Sequence, residues 1–229
     1  MDIGGIYFYF FNVDIMLKVF PALLSGLWVT IKVSMTIIAI GFSLGLILAV
    51  IRSLEIKYIG KPINAFIRVY VDLLRASPYL VLVSLVYFAL PFIGIQLSTF
   101  WATVVSFGAC LSAFAEEIFR AGIEAVGRDQ KEAAKSLGLT FLQTMRYVIL
   151  PQAIRISIPT LTNRTVAITK AISMASAIAL PDLLKQARSA QALVANPTPL
   201  VQAAIMYVIL FYPFVRLTLH LEKRMGKES

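Results

Sequence analysis

The chain has 229 residues, of which 59% are hydrophobic and 14% charged, with a net charge of +9; soluble domains carry about a quarter of their residues charged. A soluble core cannot absorb that much apolar surface, so the composition predicts a polytopic, all-α membrane helix bundle. The positive charge is not read as a nucleic-acid signature, because the topology below places most of it in loops that face anionic lipid.

Residues 1–20 are expected to form an extracytoplasmic N-terminal segment. A cleaved signal peptide is not expected, since Asp2 and Asp14 flank the early apolar residues and no basic region precedes them. The first span is placed at 23–51, where Val33 to Ile51 offers 19 residues between Lys32 and Arg52, close to the ~20 that a helix needs to cross the hydrocarbon core. Within it, Gly41-Phe42-Ser43-Leu44-Gly45 matches the Gly-x-Ser-x-Gly nucleophile elbow. That chemistry needs a strand-to-helix turn with histidine and acid partners, and the only histidine, His220, lies near the end of the last span. The same residues form a Gly-x-x-x-Gly, whose small surface lets two membrane helices approach closely, and packing is the reading taken.

Between Arg75 and Glu116 lie 40 uncharged residues, roughly 60 Å of helix and so two crossings of a bilayer about 30 Å thick. Spans are expected at 68–90 and 98–119, with the turn from Pro91 to Ser98. Pro78 removes one backbone hydrogen bond and permits a kink; Arg75 is expected to snorkel or to pair with Asp72, and is a candidate for gating. Cys110 is alone, so the chain has no internal disulfide and no cysteine metal site.

From Arg128 to Gly138 the chain turns charged and alanine-rich, too polar for a span and strongly helix-forming. Gly138 is placed to stop this helix in a left-handed cap, and Thr140 with Gln143 forms a capping box that starts a second, running to Pro151. A helix pair over 128–150 is the result. Ala133 and Ala134 permit close approach, Leu137 supplies an apolar anchor, and Glu132 and Lys135 are able to pair with each other or with a partner. The turn also resembles a DNA-binding helix-turn-helix, but Phe141 to Leu150 carries only Arg146 as a cation, too few for a recognition helix.

The last two spans are placed at 156–181 and 198–219, followed by a cytoplasmic tail, 223–229. Charges inside spans are expensive and are functional candidates by default. Asn163 and Lys170 are seven residues apart and share a helix face, which Thr160, Ala167, Ser173 and Ala177 extend as a polar or small stripe expected to face the bundle interior. Arg164 points about 100° away, toward a partner subunit or a lipid phosphate. Asn163-Arg164-Thr165 fits a glycosylation sequon but lies inside a span, where that machinery has no access.

Five spans put the termini on opposite sides. With the N-terminus outside, 13 basic residues fall in cytoplasmic segments: Arg52, Lys57, Lys61, Arg68, Arg120, Arg128, Lys131, Lys135, Arg146, Arg155, Lys223, Arg224 and Lys227. Four stay outside (Lys18, Lys32, Lys185 and Arg188), and the positive-inside rule selects this orientation. No Gly-rich loop ends in Lys and Ser or Thr, so any nucleotide hydrolysis belongs to another polypeptide.

Glu132-Ala133-Ala134, then Gly138, then Val148-x-Leu150-Pro151 resembles the EAA loop of ABC-importer permeases, with Val148 where the family usually has isoleucine. Three segments resemble the branch that imports polar amino acids and opines: Arg75-Ala76-Ser77-Pro78, Ser112 to Ile123, and Leu150-Pro151-Gln152-Ala153-Ile154-Arg155. The similarity runs from about Pro21 to Glu222. It implies a type I importer transmembrane domain over 21–222 in the cell inner membrane. Glu132, Ala133, Ala134, Lys135, Leu137, Gly138 and Leu139 would then be the coupling element, seated in a groove of a cytoplasmic ATPase.

The implied partners are two such ATPases, a second permease (a copy or a relative), an extracytoplasmic solute-binding protein and membrane lipid. The chain itself would bind no cofactor, with ATP and Mg on the partner ATPase. Asn163, Lys170 and Ser173 align with a family stretch usually reading Gly-Asn-Glu and, further on, Lys-Asp-Thr-Ser. Here Arg164 replaces the Glu, and Ala171 and Ile172 replace the Asp and Thr. The expectation is a neutral or carboxylate-rich substrate, or a heterodimer whose other half carries the substrate contacts, with Asn163, Arg164, Lys170, Ser173 and Arg75 as path candidates. The alternative from another class, a channel or membrane scaffold without coupled hydrolysis, has no reason to display the helix pair.

Overall fold

A computed structural model describes residues 8–54 and 60–225, and among them there is helix and turn but no strand. Residues 1–7 of the expected N-terminal segment, residues 226–229 of the expected tail, and Lys57 lie outside the described residues. The helices are α1 (Val13–Arg52), α2 (Gly60–Ala76), α3 (Tyr79–Ala89), α4 (Thr99–Ala125), α5 (Arg128–Ser136), α6 (Phe141–Thr144), α7 (Leu150–Ala171), α8 (Leu183–Val194) and α9 (Thr198–Met225). The helices containing α1, α4 and α9 are each long and apolar enough to cross a membrane; the count reaches five when two bent helix pairs are each taken as one span.

The expected span 68–90 is one of those pairs. Ser77 and Pro78 divide it into α2 and α3, and Pro78 sits at ψ 131, in extended backbone. The residue ahead of a proline is driven out of the α region, so the chain breaks there instead of kinking within one helix. The turn expected at Pro91 to Ser98 is present, as a 3-10 turn over Leu90–Ile93 stopped by Gly94 at φ 84. The first span begins earlier than expected, at Val13.

The second expected helix of the polar pair does not end at Pro151. A π-helical turn, Met145–Ile149, joins α6 directly to α7, and a 3-10 stretch, Ile172–Ile178, extends α7. Pro151 lacks an N–H and its ring opposes the carbonyl four residues back; the wider π turn relieves that conflict at the point where it would arise. Helix α8 has no counterpart among the expected elements. It is started by Asp182, whose Oδ1 accepts from the Lys185 N–H at 2.9 Å, and stopped by Ala195 at φ 48.

The chain divides into two compact units. The first comprises Met1–Ile37, Pro78–Phe107 and Val166–Arg216. Its core gathers Val19, Leu23, Leu183, Ala187, Ala203 and Met206. Gly26 lets α1 approach the start of α8: a Cβ there would lie 2.8 Å from the Asp182 carbonyl oxygen. One turn on, Thr30 Oγ1 accepts from the Leu183 N–H at 3.2 Å. Asn196 and Thr198 donate to the carbonyls of Phe8 and Tyr9, fastening the first described residues beside the start of α9.

The second unit comprises Ile38–Ser77, Gly108–Thr165 and Leu217–Ser229. Here the Gly-x-x-x-Gly packs α1 on α4 as expected. A Cβ on Gly41 would meet the Leu111 side chain at 2.8 Å, and one on Gly45 would meet Ala115 Cβ at 2.5 Å. Gly122 performs the same service between α4 and α7, where a Cβ would lie 2.5 Å from Ser157 Oγ. Ser157 in turn donates to the Ala153 carbonyl at 2.8 Å. Phe119, Ile123, Met145, Ile149 and Ala153 form the buried cluster beneath α5 and α6.

Candidate functional site

The helix pair is built as its sequence dictates. Gly138 lies at φ 76, its N–H bonds to the Lys135 carbonyl at 2.9 Å, and the Leu139 N–H bonds to the Ala134 carbonyl at 3.1 Å. These two bonds are a complete Schellman motif, which needs a left-handed residue at its centre. Thr140 Oγ1 then accepts from the Gln143 N–H while the Gln143 side chain accepts from the Thr140 N–H at 2.8 Å, so the capping box is present. Two short helices thus meet at a turn with its backbone polar groups satisfied locally, leaving the outer faces available.

What those faces carry differs from expectation in part. Ala134 turns inward and is 3% exposed, so only Ala133 of the alanine pair is on the outside. Glu132 and Lys135 form no ion pair with each other among the described residues. Leu137 is 81% exposed, and Phe141, Leu142 and Tyr147 are also exposed. These apolar side chains stand exposed on an otherwise charged, capped helix pair. Leu139 is half-buried and lines a cavity of about 150 Å³ with Ser53, Lys131, Lys135, Phe141, Thr144, Met145 and Ile149.

Helix α2 shows three faces. Ile67 and Val71 are buried; Phe66, Val69 and Leu73 are exposed and apolar; Arg68, Asp72 and Arg75 line a polar cavity of about 300 Å³ shared with Arg52, Glu116, Glu117 and Arg120. Arg52, at the end of α1, meets Glu116 of α4 at 2.9 Å, and Glu116 is fully buried. Arg75 pairs with Glu117 at 2.7 Å and not with Asp72. Arg120 pairs with Glu124 at 2.6 Å on its own helix. Alongside, Tyr70 and Ser112 hydroxyls lie 2.7 Å apart, tying α2 to α4.

Glu116, Glu117, Arg52 and Arg68 are not among the site residues expected from the sequence. The signal is visible there all the same: two adjacent carboxylates inside an apolar helix, with a guanidinium at the end of the helix before, are charges that a membrane protein keeps only with partners.

Arg164 also departs from expectation. Its guanidinium lies over the Phe114 ring of α4, 3.1 Å from the centroid, so it packs on its own chain instead of facing a partner subunit or a lipid phosphate. The stripe is likewise not interior: Thr160, Asn163, Ala167, Lys170 and Ala177 are exposed and Ser173 is half-buried. A helix face made of these residues is too polar for lipid, and periodicity alone cannot tell a bundle interior from a surface covered by another subunit. In the first unit Lys170 and Ser173 edge an open groove of about 430 Å³ walled by Tyr207, Val208, Phe211, Tyr212 and Val215. The Lys170 ammonium lies 5.6 Å from the Phe211 ring centroid, and the Tyr207 and Phe211 rings stack 5.8 Å apart. The structure therefore brings Arg75 and Arg164 to one ring in the second unit, and Lys170 and Ser173 to one groove in the first.

Residues 41–227 match the family described as binding-protein-dependent transport system inner membrane component. The chain is 36% identical over 221 residues to a probable glutamine ABC transporter permease protein, GlnM, of Bacillus subtilis (strain 168), covering 94% of this chain and 99% of the relative. It is 34% identical over 192 residues to the arginine transport system permease protein ArtQ of the same organism, covering 83% and 86%. Among solved structures, an amino acid ABC transporter crystallised with histidines superposes with a TM-score of 0.79 at 35% identity, covering 91% of this chain and 96% of the other. An inward-facing MetNI methionine ABC transporter shares the fold at TM-score 0.70 and 18% identity, covering 87% and 95%.

Proposed function

The chain belongs to the binding-protein-dependent transport system inner membrane components, non-catalytic permease subunits of ATP-driven importers whose hydrolysis resides on a separate subunit, and from that premise we propose that it forms the solute path of a polar amino acid importer. The observation that carries the coupling half of this reading is the capped, outward-facing helix pair, with Leu137 exposed at its tip. Seated in a groove on one of two ATPases, such a rigid pair moves with it when ATP closes the ATPase dimer. Because α6 continues into α7 without a break, that motion passes directly into the membrane helix that bears Asn163 and Lys170.

The path itself lies along the exposed stripe, covered in the assembly by a second permease, with Asn163, Lys170 and Ser173 facing solute delivered by an extracytoplasmic binding protein. The N-terminus is outside and the C-terminus cytoplasmic, an orientation supported by the basic residues gathered around the helix pair. Arginine at 164 and alanine at 171 leave this path short of carboxylates, which favours neutral or carboxylate-rich solutes over cationic ones.

The test is co-purification of the ATPase with the wild-type permease and with Leu137→Asp. Because Leu137 is exposed, the variant is expected to fold normally, lose the ATPase and lose uptake. Retention of both at wild-type levels would remove the docking role. A channel or scaffold would purify with no ATPase at all.

A further inference from the structure

Resting on the permease reading and its orientation, we infer that α2 binds a phospholipid of the cytoplasmic leaflet whose head group carries a primary ammonium. The phosphodiester meets Arg68 and the ammonium meets Asp72 at the polar cavity, and an acyl chain lies along Phe66, Val69 and Leu73. At about 300 Å³ the cavity is at the small end of ligand pockets, with room for a head group and not for a whole lipid.

Most charges at the cavity are matched within the chain. Arg52 pairs with Glu116, Arg75 with Glu117 and Arg120 with Glu124. Arg68 and Asp72 are the remainder: both are exposed, both line the cavity, and neither forms an ion pair among the described residues. They stand one turn apart on α2, where side chains are surface neighbours with about 5–6 Å between Cβ atoms. A guanidinium and a carboxylate fixed at that separation suit a ligand with an anion and a cation on a short link. Phosphoethanolamine has its phosphate and its ammonium two carbons apart.

What selects a lipid over a small zwitterion is the next face of the same helix. Val69 and Leu73 follow Arg68 and Asp72 by one residue each, about 100° round the axis, and Phe66 completes the row. All three are exposed, Phe66 by 74%. Ile67 and Val71, on the other flank of the charged face, are buried with Ala113 of α4. Helix α2 therefore presents a packed face, a charged face and an unpacked apolar face in turn, as a helix does at the boundary between head groups and acyl chains. Arg52, at the end of α1, shares the cavity and places that boundary on the cytoplasmic side. A phospholipid without an amine sets its phosphate against Asp72 with no cation between, and a choline head group has no N–H to donate. A primary ammonium meets both demands.

Native mass spectrometry of the detergent-purified permease with its ATPase tests the inference, by titration with phosphatidylethanolamine, phosphatidylcholine and phosphatidylglycerol of identical acyl chains. Phosphatidylethanolamine should bind saturably and about 10-fold more tightly than either of the others, the difference expected for one charge-assisted hydrogen bond. Asp72→Asn should abolish that preference, and Arg68→Gln should weaken all three lipids. Val69→Ser with Leu73→Ser should weaken all three without changing their order, and Lys170→Met should change nothing. Glycerophosphoethanolamine, the head group without acyl chains, should compete only in at least ~10-fold excess, since it buries no hydrocarbon. Equal binding of the three lipids, a preference that survives Asp72→Asn, or competition by the bare head group at equal concentration would overturn the site. ATPase retention in the same spectra reports separately on the permease reading, and lipid binding is read on the permease whether or not the ATPase stays bound.

Discussion

The guanidinium of Arg164 stacks on the ring of Phe114, 3.1 Å from its centroid, and Arg75 approaches the same ring at 5.4 Å. A partly desolvated cation over an aromatic face contributes about 1–2 kcal/mol. Phe114→Leu keeps an apolar side chain but removes the ring, and should lower the unfolding temperature of the detergent-solubilised protein; Phe114→Tyr, which keeps the face, should not. Equal unfolding temperatures for Phe, Leu and Tyr would show that the stacking carries no stability.

Charge at position 164 should set solute preference. Arg164→Glu with Ala171→Asp places two carboxylates on this segment. Reconstituted with its ATPases and binding protein, the double variant is expected to shift transport from neutral or anionic toward cationic solutes. The check is competition of unlabelled arginine and glutamate against labelled substrate. Wild-type uptake of arginine at full rate, unaltered by the double variant, would end the charge argument.

Gly45 should tolerate less than Gly41. The atoms nearest a Cβ on Gly41 belong to the Leu111 side chain, from its Cβ outward at 2.8–2.9 Å, whereas one on Gly45 also meets backbone, the Ser112 carbonyl oxygen at 2.8 Å and the Glu116 nitrogen at 2.9 Å. Backbone cannot yield without separating α1 from α4. Overpacking of this kind costs about 1–3 kcal/mol, so Gly45→Ala should lower the unfolding temperature and Gly41→Ala much less. The reverse order would place the tight contact elsewhere.

This pair of glycines is legible in the amino-acid sequence alone, because four-residue spacing fixes both on one face of a helix whatever it packs against. Gly138 and Thr140 are legible for a similar reason: caps are made from neighbouring residues. What depends on distant parts of the molecule is not. Pro78 reads as a kink within one span, and the extended backbone there makes it a break. Arg75 has Asp72 one turn away in sequence, yet its partner is Glu117, forty-two positions on. The stripe through Asn163 and Lys170 stands out as a face, but spacing does not say what covers it. Asp182 escapes notice as the cap of α8 because Lys185 and Arg188 make the segment read as a charged loop.

Breaking the buried pair should do more harm than removing it. Arg52 and Glu116 join α1 to α4 at 2.9 Å, with Glu116 wholly out of solvent. Taking away one partner strands the other charge, at a cost of about 3–5 kcal/mol, while replacing both by apolar groups of similar size is often neutral. Arg52→Met should therefore yield little folded protein, and Arg52→Met with Glu116→Leu should recover it, as judged by monodisperse yield on size-exclusion chromatography. Recovery of fold without recovery of transport would assign the pair to function; no recovery would mean that the charges themselves hold the helices.

The turn of the helix pair offers the most direct separation of stability from coupling. Gly138 holds a left-handed conformation at φ 76, with no atom within 4 Å of where a Cβ would stand, so Gly138→Ala introduces backbone strain of about 1 kcal/mol and no collision. Thr140→Ala removes the capping-box oxygen, worth about 1 kcal/mol. Neither change touches the buried cluster of Met145, Ile149 and Ala153 that anchors the pair. Both variants should therefore fold and insert, yet present a looser turn to the ATPase. In proteoliposomes they are expected to keep basal ATP hydrolysis while losing part of its stimulation by solute-loaded binding protein. Gly138→Pro should go further: proline has no N–H to complete the Schellman motif and cannot adopt a positive φ, so stimulation and uptake should both fail. If Gly138→Pro left stimulation intact, the rigidity of this turn would have no part in coupling.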